Sequence, residues 1–186
     1  MILNLPIFLT ILRILAIPLV VLFFYLDMPL TSSTIFGLAG LTDLIDGYVA
    51  RKYNQESRFG AFLDPVADKL LVAVALLLIV EREGMWWITL AGIIIISREI
   101  IISALREWMA ETGERSKVAV AYIGKVKAVT QILALIFLLY NQDLWGAPLR
   151  EVGLAFLAIA TVLTVLSMMQ YLRSAFTGMS NDAHTN

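Results

Sequence analysis

Apolar residues run along this chain in long blocks, and the short polar breaks between them predict the elements. Pro6 to about Leu26 is one such block, close to the 20 residues a helix needs to cross a bilayer. Pro6 suits a first turn, where its missing N–H costs nothing. Met1 to Leu5, apolar apart from Asn4, is expected to lie along the interface before it. Asp27 to Thr31, with Pro29, reads as a turn, followed by a second segment over about Ser32 to Lys52 and a charged connector over Tyr53 to Phe59. Gly60 to Val80 is the third segment, Glu81 to Gly84 the next turn, and Met85 to Trp108 the fourth. A charged loop, Ala110 to Lys117, leads to a fifth segment over Val118 to Tyr140. A turn over Asn141 to Pro148 then leads to a sixth over Leu149 to Leu172. The pattern predicts an all-α integral membrane protein: six transmembrane helices with a short N-terminal interfacial segment. A single domain is expected over 1–173, then a polar, disordered tail over 174–186. The first block has no basic residues ahead of it and no small-residue cleavage pattern, so a retained helix is expected and not a signal peptide.

Composition agrees with a polytopic membrane protein. Of 186 residues, 60% are hydrophobic, against about 45–50% for soluble domains. Cysteine is absent, which excludes disulfides and thiolate metal sites. The net charge of −1 says little; the placement of the cations says more. Of the 14 lysines and arginines, only Arg82 and Arg150 fall beside the turns after the third and fifth segments. The others lie on the opposite half, which the positive-inside rule makes cytoplasmic, with both termini inside. No nucleic-acid partner is expected.

The stretch from Asp43 to Asp68, DLIDGYVARKYNQESRFGAFLDPVAD, departs from the apolar pattern. It sets Asp43, Asp46, Asp64 and Asp68 into two helices that otherwise suit hydrocarbon. One aspartate at the centre of a membrane helix costs about 2.5–3.5 kcal/mol, so four unrelieved ones would cost roughly 10–14 kcal/mol. Asp43 and Asp46 are spaced i,i+3, and Asp64 and Asp68 i,i+4, so each pair projects from one face of its helix. Two facing pairs would form a cage of hard oxygens that suits Mg²⁺ or Mn²⁺. Two such ions would cancel the four charges and leave positions for a phosphate-bearing substrate. The plainer alternative is a water-filled cavity in which the aspartates pair with Arg51, Arg58 and Lys69. A cation transporter would need carboxylates spread across the bilayer depth and interrupted helices; here all four sit on one side.

Arg98, Arg106, Lys125 and Lys127 lie within the fourth and fifth segments and not in loops. Snorkelling to the headgroups is one reading, best suited to Lys127. For cations on two helices beside a carboxylate cage, a pocket for an anion is the stronger one, because buried charge of one sign calls for the other. Thr10 and Arg13, one turn apart in an apolar helix, either face the phosphates of a ligand or, for Thr10, bond the helix's own backbone. Trp86, Trp87, Trp108 and Trp145 fall near segment ends as interfacial anchors. His184, alone near the end, is not expected to be a ligand.

The string Asp43-x2-Asp46-Gly47-x2-Ala50-Arg51-x8-Gly60-x3-Asp64-x3-Asp68 resembles, without a gap, the signature of the CDP-alcohol phosphotransferase family. The resemblance extends to Pro6, Thr10, Arg13 and Pro18, to SREIIISALREWMAE from Ser97, and to VAVAYIGKVKAVTQ from Val118. Ile7 departs from it, standing where many relatives have asparagine. The resemblance implies a six-helix homodimer in a bacterial cytoplasmic membrane, active site facing the cytoplasm. The implied reaction transfers the phosphatidyl group of CDP-diacylglycerol to sn-glycerol 3-phosphate with release of CMP. It implies that Asp43, Asp46 and Asp64 hold the metals, that Asp68 is the general base and a further metal ligand, and that Thr10, Arg13, Gly47, Ala50, Arg51 and Gly60 serve the CDP moiety. Gly47, Ala50 and Gly60 equally suit close helix packing. The signature handles the shared donor and leaves the acceptor alcohol open; Arg98, Arg106, Lys125 and Lys127 suit an acceptor that carries its own phosphate.

Overall fold

Among the described residues the apolar blocks become six helices: α1 Leu5–Tyr25, α2 Pro29–Tyr53, α3 Arg58–Glu83, α4 Trp86–Glu111, α5 Tyr122–Tyr140 and α6 Leu149–Asp182. The computed structural model describes residues 5–53, 58–111 and 122–182, with side chains for 8–42, 60, 62–105, 107–109, 123–124 and 126–172. Met1 to Asn4, the heart of the connector after α2, the loop before α5 and His184 lie outside the described residues. Among the described residues, three helices are long and apolar enough to cross a membrane, with spans Phe8–Tyr25, Trp86–Met109 and Leu149–Leu172, and Val126–Tyr140 is a shorter apolar stretch. The aspartates belong to α2 and α3.

Where boundaries differ from the sequence pattern, local chemistry explains it. The turn after α1 is shorter than expected and α2 starts at Pro29, because proline is well suited to the first helical position. Asp27 takes the left-handed conformation at φ 55. Its N–H bonds Phe24 O at 3.2 Å and the Met28 N–H bonds Phe23 O at 3.0 Å, a Schellman closure of α1. Gly84, at φ 62, ends α3 in the same conformation. Glu81 to Glu83 are therefore helix and not turn. The Arg82 guanidinium donates to Leu138 O and, at 3.3 Å, to Leu139 O, satisfying the last carbonyls of α5, and it lies 5.1 Å from the Phe24 ring centroid. Burial pulls its pKa below the ordinary guanidinium value, against the upward pull of Glu83. Arg150 donates to Glu83 at 2.6 Å. α6 also continues past Leu172 to Asp182, so most of the stretch read as a disordered tail is helical.

The core is built from Phe36 of α2, Leu71, Leu76 and Ile79 of α3, Ile88 and Ile95 of α4, Leu135, Leu138 and Leu139 of α5, and Leu157 of α6. α5 packs most extensively on α6, and α1 on α2 and α3. Gly153 permits the α5–α6 approach: a Cβ there would meet Leu138 Cγ at 2.9 Å and Phe137 Cβ at 3.1 Å. Gly153→Val is expected to destabilise the fold by about 1–3 kcal/mol through overpacking, read as a lower melting temperature in detergent. An unchanged melting temperature would show that α5 and α6 part at no cost.

Candidate active site

α3 carries Asp64 and Asp68 one turn apart, and α1 meets them with the two polar residues of its apolar sequence. Thr10 Oγ1 donates to Asp64 Oδ1. Arg13 Nη1 donates to Asp68 Oδ1 at 2.6 Å, and Arg13 Nε donates to Ala39 O of α2 at 3.3 Å. The Arg13 side chain is 0% exposed and that of Asp68 37% exposed, so the guanidinium is sealed in while the carboxylate keeps an open side. Thr10 thus bonds across to α3. A guanidinium can hold two acceptors in one plane, which is how Arg13 ties α1, α2 and α3 together.

Asp43, Asp46, Gly47, Ala50 and Arg51 lie on the C-terminal part of α2, and their side chains fall outside the described residues, as do those of Arg106 and Lys125. Gly60 is buried near the start of α3. Among the described residues no three acidic or histidine side chains converge. The donor set nevertheless fits a hard cation: Asp64 and Asp68 share a face, and α1 binds both carboxylates with donors, which fixes their orientation.

On the far side of Asp68 opens a pocket of about 190 Å³, whose polar lining is Asp68, Lys69, Glu99, Lys127 and Gln131. Lys127 is 4% exposed and its ammonium is on the Glu99 carboxylate. It does not snorkel. Arg98, also buried, reaches Glu99 at 3.2 Å and Ser167 Oγ at 3.3 Å, and its guanidinium carbon lies 5.6 Å from the Tyr171 ring centroid. Lys69 donates to Ser103 Oγ at 2.6 Å. Arg98 and Lys127 share the Glu99 carboxylate, so that triad carries one net positive charge, while the pocket wall itself sets Lys69 and Lys127 against Asp68 and Glu99.

A second cleft, about 540 Å³ and almost wholly apolar, runs between α2 and α5 past Gly37, Leu38, Ile136 and Phe137. Gly40 and Ile132 line both it and the polar pocket, so the two adjoin.

Residues 3–167 match the family model described as CDP-alcohol phosphatidyltransferase. The chain belongs to that family. It is 51% identical over 175 residues to a protein of Salmonella choleraesuis, covering 92% of this chain and 94% of the relative. It is 52% identical, with the same coverage, to one of Shigella flexneri serotype 5b. A third, from Escherichia coli K12, is 51% identical with that coverage again. All three carry the name CDP-diacylglycerol–glycerol-3-phosphate 3-phosphatidyltransferase. Within this CDP-alcohol phosphatidyltransferase, the structure brings Thr10, Arg13, Asp64 and Asp68 together and sets Arg98 and Lys127 around Glu99. The sequence pattern missed Glu99 and Gln131 as pocket residues. The available signal was spacing: Lys127 and Gln131 are i,i+4 on α5, so both face the same side.

Proposed function

We propose that this protein transfers the phosphatidyl group of CDP-diacylglycerol to sn-glycerol 3-phosphate, releasing CMP and forming phosphatidylglycerophosphate for phospholipid biosynthesis. The observation that carries this reading is the position of Asp68. It is held by α1 on one side and on the other lines a pocket that also presents Lys69 and Lys127. The names of the relatives support the same donor and acceptor. The adjoining apolar cleft suits the acyl chains of a lipid donor.

In this reading the acceptor's phosphate sits by Arg98 and Lys127, with Arg106 and Lys125 on the same helices. Its free primary hydroxyl faces Asp68. Asp68 takes the hydroxyl proton. The hydroxyl oxygen attacks the phosphorus that bears diacylglycerol, and the bond from that phosphorus to CMP breaks with its electron pair leaving on CMP. Asp43, Asp46, Asp64 and Asp68 would hold Mg²⁺ or Mn²⁺, two ions by charge balance, which supply neutralisation and alignment of the pyrophosphate. Thr10 and Arg13 keep the α3 carboxylates in place beside the CDP moiety, whose contacts we assign also to Gly47, Ala50, Arg51 and Gly60. All six helices cross the membrane, the aspartates and both termini face the cytoplasm, and the working unit is a homodimer in the bacterial cytoplasmic membrane.

The test is to incubate the purified protein with CDP-diacylglycerol, Mg²⁺ and a panel of acceptors, then identify the lipid product. Phosphatidylglycerophosphate is expected; a different lipid would move the acceptor assignment, and none would remove the activity. Asp43→Asn is expected to raise the Mg²⁺ concentration needed for half-maximal rate about tenfold or more, since an amide loses the ligand charge. A metal titration superimposable on that of the unaltered protein would count against Asp43 as a ligand.

A further inference from the structure

Gln131 is 4% exposed, yet its Oε1 has no hydrogen-bond partner among the described residues. Buried polar atoms are nearly always paired, and Gln131 lines the pocket, so a ligand there toward which the amide turns completes the pairing. The atom fixes what the ligand must bring. A carbonyl oxygen accepts and cannot donate, so its partner carries a proton. A phosphate dianion has none to give and is served by Arg98 and Lys127. The hydroxyl that attacks is served by Asp68, on the same pocket. With about 190 Å³ of space, equal to roughly six water volumes, the pocket suits a small polar molecule. A three-carbon phosphate with one more hydroxyl, between its phosphate and its reacting end, brings the missing donor to α5 one turn from Lys127.

We propose that Gln131 is a specificity-determining residue that accepts a hydrogen bond from the acceptor's secondary, non-reacting hydroxyl. This inference rests on the acceptor reading given above. A site built to pair a hydroxyl discriminates against the analogue lacking it, because the buried acceptor is then left unpaired. The natural probe is 3-hydroxypropyl phosphate, which keeps the phosphate and the primary hydroxyl and replaces the secondary one by hydrogen.

The experiment measures kcat/KM for both acceptors with the full-length enzyme in one detergent at saturating CDP-diacylglycerol. The unaltered enzyme is expected to favour sn-glycerol 3-phosphate by about tenfold or more. In Gln131→Leu and Gln131→Met, close in size and without the carbonyl, the ratio is expected to fall to within about threefold of unity. That fall should come from the loss on sn-glycerol 3-phosphate, with the rate on 3-hydroxypropyl phosphate nearly unchanged. Equal use of the two acceptors by the unaltered enzyme overturns the inference whatever the variants do. So does a ratio that survives both substitutions, or an equal loss on both acceptors. An unaltered enzyme that makes product from neither acceptor overturns the acceptor reading itself, which is a different outcome from any of these.

Discussion

Asp68→Asn is expected to lower kcat by about two to four orders of magnitude, the range a positioned general base contributes, while CDP-diacylglycerol still binds. The amide keeps an oxygen that can accept from Arg13 Nη1, so the tie between α1 and α3 persists. What is lost is a carboxylate able to take the acceptor's proton. Turnover and donor binding measured on the same preparation separate chemistry from folding. Near-normal turnover would remove Asp68 from the role of base. Donor binding lost in parallel with rate would make it principally a ligand for the metals that hold the pyrophosphate.

Arg13→Ala has the next largest expected effect, and it acts on folding and rate together. Removing one partner of a buried ion pair costs about 3–5 kcal/mol. Here Asp68 keeps an open side, 37% exposed, so part of that penalty is relieved by solvent and about 2–4 kcal/mol is expected. Ala39 O also loses its donor, and α1 loses a contact shared by two helices. A carboxylate no longer held in place is expected to lower kcat about 10²-fold, the scale of a small misplacement at a reacting centre. Arg13→Lys restores the charge and not the planar pair of bonds, so it should recover part of the stability and less of the rate. Melting curves and initial rates for the two variants provide the check. A fully stable and active alanine variant would show that Arg13 is a bystander.

Several parts of this site were legible in the sequence because they depend on one helix at a time. Asp64 and Asp68 share a face through i,i+4 spacing, and six apolar blocks gave six helices. The pairing of Thr10 with Asp64 and of Arg13 with Asp68 was not legible. It joins residues more than fifty positions apart, and it depends on which helices touch. The same limit explains Glu99. In sequence it is one acidic residue beside Arg98; in the fold it holds Lys127 of α5 buried, against the alternative that this lysine snorkels. Helix ends shifted for a related reason. Glu81 to Glu83 looked like a polar turn, but Arg82 finds the carbonyls of α5 and Glu83 finds Arg150, so helix is sustained by partners outside the segment. Gln131 shares a helix face with Lys127 by its i,i+4 spacing, but only burial of its carbonyl oxygen without a partner marks it as more than packing.

The length of α6 bears on how the molecule can be handled. Its 34 residues extend about 50 Å at about 1.5 Å per residue, against a hydrocarbon layer of about 30 Å. The surplus is the helical stretch past Leu172, where the apolar span ends. A small rigid protein spliced in helical register onto Asp182 would be carried at a fixed bearing from the membrane domain. It would give an otherwise nearly buried 186-residue chain an external landmark for particle alignment in electron microscopy, and the aspartates and the α5 pocket would be left untouched.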